Sequence, residues 1–189
     1  MIRELSSWVA KWMEQEGVIS REDKGLFSYA VYSLLFGLLP IYIVVILGLV
    51  FGMLREGLLM ITPFMLIRKF SGGYHLNSPK MCIIFSTVLL ALALGIVGCV
   101  IESGCIALLT TFVVMSTGSL CIFSPTDNER RKLTGKEISL FHRIVCAVTS
   151  IFMAVYFIMC GLNFTHYAVP FGVGIILAAM LQLPCILKK

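Results

Sequence analysis

Residues 26–54 read LFSYAVYSLLFGLLPIYIVVILGLVFGML, a stretch without a single charged side chain. A helix that crosses the hydrocarbon core of a bilayer needs about 20 mostly apolar residues, so this stretch predicts a membrane span. Pro40 lies inside it and predicts a kink. Four other apolar runs predict further spans, the last of them slightly short: 82–101, 105–123, 167–187 and 144–161.

The composition points the same way. Of 189 residues, 59% are hydrophobic and 13% are charged, whereas soluble domains are about half apolar and a quarter charged. No linker rich in Ser, Gly or Pro divides the chain, and no secretory signal peptide is evident. We therefore predict an all-α polytopic bundle that forms a single membrane domain over residues 1–189, in contact with lipid and not with nucleic acid.

The N-terminal segment has a different pattern. Large apolar residues recur at helical spacing among charged ones: Ile2, Leu5, Trp8, Val9, Trp12 and Met13. This periodicity predicts an amphipathic interfacial helix within residues 1–20, lying on the membrane surface. A helix that binds a partner protein is the alternative.

The stretch 57–67, GLLMITPFMLI, is apolar but has only 11 residues and contains Pro63; as a helix it would span about 16 Å. If it crosses and the N-terminus is cytoplasmic, Arg55 is the only one of the 15 Lys and Arg residues left outside. We therefore predict six crossings with both termini cytoplasmic. So short a crossing needs shelter from neighbouring helices or a thinned bilayer. A helix-loop-helix dip into one leaflet is the alternative.

Residues 68–82, RKFSGGYHLNSPKMC, are the densest polar stretch between two membrane segments, and we interpret them as a catalytic loop. Gly72 and Gly73 permit positive φ or close approach to a ligand. Ser78 and Pro79 are typical of a helix start, as N-cap and first helical residue.

That register places Cys82 at the fourth helical position, in the first turn of the next span. The helix dipole and the nearby Lys80 both favour the thiolate, which is the nucleophilic form of cysteine. The other six of the seven cysteines lie mainly in apolar runs and predict small core residues, without a disulfide framework.

His75 precedes Cys82 by seven residues, which in one continuous helix would separate them by about 10.5 Å along the axis. A non-helical segment 72–78 could fold back and bring the imidazole to the sulfur. The two would then form a Cys-His dyad, in which His75 takes the thiol proton and later protonates the leaving amine. A zinc site is less well supported, because only His142 is a plausible further donor on the same side; no cofactor is predicted.

These residues resemble the signature region of the accessory gene regulator B (AgrB) family, the membrane peptidases of bacterial quorum sensing. The resemblance is carried by Arg68, Gly72, Gly73, His75 and Cys82, and it extends to the length, the amphipathic N-terminus and the short spans. The segment 124–128 is similar to the family's Ala-Pro-Val-Asp type, from which Ser124 and Thr126 depart.

The resemblance implies that Cys82 is the nucleophile and His75 the base, supported by Arg68 and Gly73. It implies as substrate an accessory gene regulator D (AgrD)-type propeptide, cut on the cytoplasmic side through an acyl-enzyme thioester. An internal Cys or Ser of the peptide would resolve that thioester into a thiolactone or lactone ring. A homodimer in the plasma membrane of a bacterium is also implied. Scarce water at the membrane boundary would favour this attack over hydrolysis.

Residues 124–143 form a predicted cytoplasmic basic loop. Arg130, Arg131 and Lys132 are explained as a positive-inside anchor, or alternatively as a docking patch for an acidic tail of the precursor. Asp127 is a candidate to orient His75 or to bind Arg68, and Asn77 is its rival for the orienting role.

Two other classes of function remain. A transporter that exports a small peptide without cutting it would be expected to carry ionisable residues within its spans, and the predicted spans contain almost none. A non-catalytic scaffold would tolerate changes in the 68–82 loop.

Overall fold

The computed structural model describes residues 2–72, 79–125 and 135–187. Within these ranges the chain forms helices and no strand, which confirms the all-α class. The helices are α1 (Ile2–Gln15), α2 (Lys24–Phe51), α3 (Leu54–Ser71), α4 (Pro79–Ser103), α5 (Ile106–Phe123), α6 (Gly135–Gly161), α7 (Thr165–Met180) and α8 (Leu183–Leu187).

Five helical segments of the described chain are long and apolar enough to cross a membrane. They lie in α2, α4, α5 and α6 and in a stretch from α7 into α8. The polytopic helical architecture is therefore confirmed. α2 continues as a helix through Pro40, and the predicted kink there stays a prediction.

The chain divides into two compact units, Met1–Ile43 and Val44–Lys189, with the boundary inside α2. In the first unit, α1 is the helix that the N-terminal periodicity predicts. Trp8 is 63% exposed and Trp12 is 51% exposed, so the indole face of α1 is free to lie in a membrane interface.

The second unit is organised around α7. The span containing α7 is 72% buried, whereas the other four spans are between 11% and 22% buried. α3, α4, α5 and α6 all pack against it. Gly174 allows α7 to lie close to α3. A Cβ at this position would collide with the carbonyl of Met60 on α3, so only glycine fits. A helix without lipid contact over most of its surface is the core of this unit.

The stretch 57–67 is longer as a helix than its apolar residues suggested. It is the centre of α3, which runs for 18 residues through Pro63 and is about 27 Å long. Glu56 in the first turn and Arg68 and Lys69 in the last turn complement the helix dipole. α3 is not among the five apolar spans, and its crossing stays a prediction.

The shelter expected for this segment is present, since seven residues of α3 are buried: Gly57, Met60, Ile61, Pro63, Phe64, Ile67 and Ser71. α3 is one continuous helix, so the alternative prediction of a helix-loop-helix within 57–67 is wrong.

Two loop boundaries also differ from the predicted ones. α6 begins at Gly135, nine residues before the predicted span, so 135–143 is helical and not part of a basic loop. The predicted loop 68–82 includes the last turn of α3 and the first turn of α4. In both places charged residues belong to helix ends and not to a loop.

Candidate functional site

Cys82 occupies the first turn of α4. That helix begins at Pro79, which makes Cys82 its fourth residue and confirms the predicted register. The thiol is free and half-buried, and Lys80 beside it is exposed. A sulfur in this position faces the positive end of the helix dipole and remains accessible from outside the bundle.

The end of α3 approaches the same region. Gly72 follows the last helical residue with φ 76° and ψ −156°, which confirms that this glycine takes a positive φ. Ser71 is buried, and its hydroxyl donates to the carbonyl oxygen of Gly72 over 3.2 Å. A side chain at position 72 would strain this backbone, so the glycine permits the sharp end of α3.

Arg68 lies one turn before that end and is half-buried. Its Cζ is 5.6 Å from the ring centroid of Phe64. Burial lowers the pKa of the Arg68 guanidinium, and the proximity of the Cys82 and Cys185 sulfurs opposes this change. The cation is therefore within electrostatic range of two sulfurs, one from α4 and one from α8. We call Arg68, Cys82 and Cys185 the Cys82 group.

Most other predicted site residues lie outside the described ranges, and their roles stay predictions. They are Gly73, His75, Asn77, Ser78, Asp127, Arg130, Arg131 and Lys132. Both segments that carry them are joined to the ends of helices described here: residues 73–78 connect α3 to α4, and residues 126–134 lead into α6.

A second polar cluster, which the sequence did not predict, lies at the end of α5. The carbonyl oxygen of Ser124 accepts a hydrogen bond from Nδ1 of His142 over 2.8 Å. The Ser124 hydroxyl accepts another from Nε2 of Gln182 over 2.9 Å. Gln182 is fully buried, and Ser124 is 6% exposed. We call Ser124, His142, Cys146 and Gln182 the Ser124 group.

The His142 ring has a defined tautomer in this cluster. A carbonyl oxygen can only accept, so Nδ1 carries the proton and Nε2 is free to accept from the Cys146 thiol 3.7 Å away. Cys146 also lies 3.8 Å from the carbonyl oxygen of Cys121. The contacts thus join α5, α6 and the end of α7 through polar atoms.

The two groups lie at the same end of the second unit. The ring of Phe70, next to the end of α3, lies 6.3 Å from the ring of Phe141, the neighbour of His142, at an interplanar angle of 48°. The backbone N–H of Cys185 donates to the carbonyl of Gln182 over 3.0 Å. Throughout the described residues, no three His, Cys, Asp or Glu side chains converge as a metal site requires.

One known protein family matches this chain over most of its length. The family model described as AgrB, Accessory gene regulator B, matches residues 6–186. This chain belongs to the accessory gene regulator B family. The description of the family places its members in the accessory gene regulator system.

Two relatives come from Clostridium perfringens. AgrB-like protein 2 of strain 13 / Type A is 33% identical to this chain over 89 residues, and the AgrB-like protein of strain SM101 / Type A is 30% identical over 89 residues. Each alignment covers 47% of this chain and 42% of the relative, so the match spans less than half of either protein. No solved structure matches this member of the AgrB family.

Proposed function

We propose that this AgrB-family chain is a membrane cysteine endopeptidase that cuts an AgrD-type propeptide, with Cys82 as nucleophile and His75 as general base. One observation carries the proposal: the Cys82 thiol stands in the first turn of α4 within electrostatic range of the half-buried Arg68 guanidinium. A helix N-terminus and an adjacent cation both favour the thiolate. Family membership supports a processing peptidase in general terms.

The reaction begins when the Cys82 thiolate attacks the carbonyl carbon at the end of the signal portion of the propeptide. The tetrahedral intermediate collapses, and the C–N bond breaks as His75, protonated by the thiol, gives its proton to the leaving amine. The product is an acyl-enzyme thioester. An internal thiol or hydroxyl of the peptide then attacks the thioester and gives its proton to His75, which releases the Cys82 thiolate and closes a thiolactone or lactone ring.

Arg68 has a supporting role in this scheme. Burying a guanidinium removes it from water, and a negative charge nearby offsets the desolvation cost. Arg68 therefore stabilises the negative charge that the sulfur of Cys82 carries as it attacks and again as the ring-closing step releases it. Lys80 is exposed, so its charge is screened by water and contributes less.

Co-expression with a C-terminally tagged AgrD-type propeptide tests the proposal. We expect Cys82→Ala and His75→Ala each to abolish release of the tagged tail while membrane insertion is retained. Cys99→Ala is the matched control, because Cys99 is an exposed cysteine in the same helix. Hydroxylamine, which cleaves thioesters, should release acyl peptide from wild-type protein trapped during turnover. Full processing by the Cys82→Ala protein would defeat the proposal.

Export of a small peptide without proteolysis has less support. No Asp, Glu, Lys or Arg side chain lies in the middle third of α2, α4, α5, α6 or α7, where a transport pathway would be expected to carry them. We further propose that the termini are cytoplasmic, that Arg130, Arg131 and Lys132 attract an acidic tail of the propeptide, and that the enzyme is a homodimer.

A further inference from the structure

The Ser124 group lies at the point where three helices meet. All three polar groups of Ser124 are held: its N–H by the carbonyl of Leu120, its carbonyl by His142, and its hydroxyl by Gln182. These partners come from α5 itself, from α6 and from the residues after α7. A buried serine fixed at every polar atom ties the ends of these helices together.

Gln182 connects the Ser124 group to the proposed nucleophile, Cys82. Its side chain holds Ser124, and its carbonyl oxygen accepts the N–H of Cys185, so the turn from α7 into α8 depends on the position of Gln182. Cys185 is a member of the Cys82 group and half-buried. Arg68 is half-buried at that place, where a charge acts more strongly than it would in water.

A second observation marks Gln182 as more than a packing residue. Its Oε1 is buried and has no hydrogen-bond partner among the described residues. Keeping a glutamine fully buried with one amide atom unsatisfied costs free energy. An apolar side chain of similar volume would avoid that cost, and such a cost is typical of positions kept for function.

We propose that Gln182 and His142 are positioning residues for the nucleophile: by holding Ser124 from two sides they fix the α7–α8 turn and thereby keep Arg68 sheltered beside Cys82. When the turn is released, water enters around Arg68 and screens its charge, so the Cys82 thiol becomes less reactive. The inference rests on the proposed function in taking Cys82 as the nucleophile.

The experiment measures alkylation of Cys82 by iodoacetamide in the full chain in lipid nanodiscs, with each cysteine quantified by mass spectrometry. No propeptide is needed, so the alkylation rate can be measured whether or not the protein has peptidase activity. We expect Gln182→Met and Ser124→Ala to slow alkylation of Cys82 roughly three- to tenfold. Simple loosening of the fold would expose the thiol and accelerate it, so the sign separates positioning from stability.

The His142 variants give the rescue test. In His142→Asn the shorter amide can place a nitrogen donor near the position of Nδ1, and we expect a rate close to that of the wild type. His142→Gln lacks a donor at that position and should behave like Gln182→Met. Thr87→Val is the control, since that hydroxyl bonds the carbonyl of Ile83 in its own helix, and its rate should not change.

The effect must also depend on Arg68. In an Arg68→Gln background, Gln182→Met should cause no further slowing, because the guanidinium charge that Gln182 keeps sheltered is already absent. Unchanged or faster alkylation in folded Gln182→Met and Ser124→Ala proteins would overturn the proposal. An equal slowing with and without Arg68, or a His142→Asn protein as slow as His142→Gln, would also overturn it. A chain that shows these effects but cuts no propeptide would refute the peptidase and leave the positioning role intact.

Discussion

Gly174 on α7 faces the carbonyl oxygen of Met60 on α3 at a distance that leaves no space for a β-carbon. Gly174→Ala should therefore push the two helices apart and lower the free energy of unfolding by about 1–3 kcal/mol. Thermal denaturation of the purified protein in detergent measures this.

Gly95→Ala is the matched control, because a β-carbon at Gly95 would meet no neighbouring atom. An alanine in a helix interior is intrinsically better than glycine by about 1 kcal/mol, so Gly95→Ala should be neutral or stabilising. Equal melting temperatures for the two variants would contradict the close packing of α3 against α7.

The buried hydroxyl of Tyr156 gives a second prediction. Thr110 donates to the carbonyl of Ile106 over 2.8 Å, so the Tyr156 O–H donates to Thr110 Oγ1, also over 2.8 Å. Thr110→Val removes this acceptor and should destabilise the protein by about 0.6–2 kcal/mol. Thr111→Val is the control, since Thr111 is exposed and, within the described part of the chain, its hydroxyl bonds only to the carbonyl of Ala107 in its own helix. A loss as large in the control would rule out a special role for the interhelical bond.

The ion pair of the first unit should give a pH dependence. The hydrogen bond from Lys24 lowers the pKa of Glu14, and the charges of Lys24 and Arg21 act in the same direction against partial desolvation. Because the folded-state pKa is depressed, the stabilisation is present above the unfolded-state pKa, near 4.3, and is lost as the pH falls through the folded value. α1 should therefore loosen from α2 in acid.

Tryptophan fluorescence measures this directly, since both tryptophans of the chain, Trp8 and Trp12, lie on α1. Between pH 6 and pH 3 we expect a small change in emission that high salt reduces. Glu14→Gln should show the acid-like emission already at pH 6. An identical pH profile for the wild type and Glu14→Gln would exclude the ion pair as its origin.

Thiol labelling tests the predicted orientation. Cys82 lies in the first turn of α4, and Cys105, which is exposed, lies just beyond the other end of that helix. In intact cells, a membrane-impermeant maleimide should label Cys105 in a variant with no other cysteine, whereas a variant with only Cys82 should need permeabilisation. The reverse pattern would mean that Cys82 faces away from the cytoplasm.

The sequence predicted best where one physical signal dominated. The ends of α5 lie within one residue of the predicted span, because its apolar run ends in polar or turn residues on both sides. The first turn of α4 could be predicted from Pro79, which fixes a helix start. The start of α6 was predicted nine residues too late, because Lys136, Glu137 and Arg143 lower the hydropathy of this segment, and low hydropathy does not distinguish a loop from a helix outside the membrane.

The Ser124 group could not be predicted in the same way. Its hydrogen bonds join residues 18 and 58 positions apart, and no local pattern encodes such a distance. Two signals were nevertheless present: Gln182 is a polar residue in an apolar run, which is costly in a membrane, and His142 and Cys146 are four residues apart on one helix face.

The central place of α7 has a consequence for how this protein is made. α3, α4, α5 and α6 leave the ribosome before it, yet each of them packs on a helix that has not been synthesised. Until α7 inserts, their inner faces are covered by lipid or by one another, and Met60 cannot yet make its close contact with Gly174. Assembly must therefore wait for the last long helix, and a chain interrupted before residue 165 would reach the membrane without the element on which its other helices close.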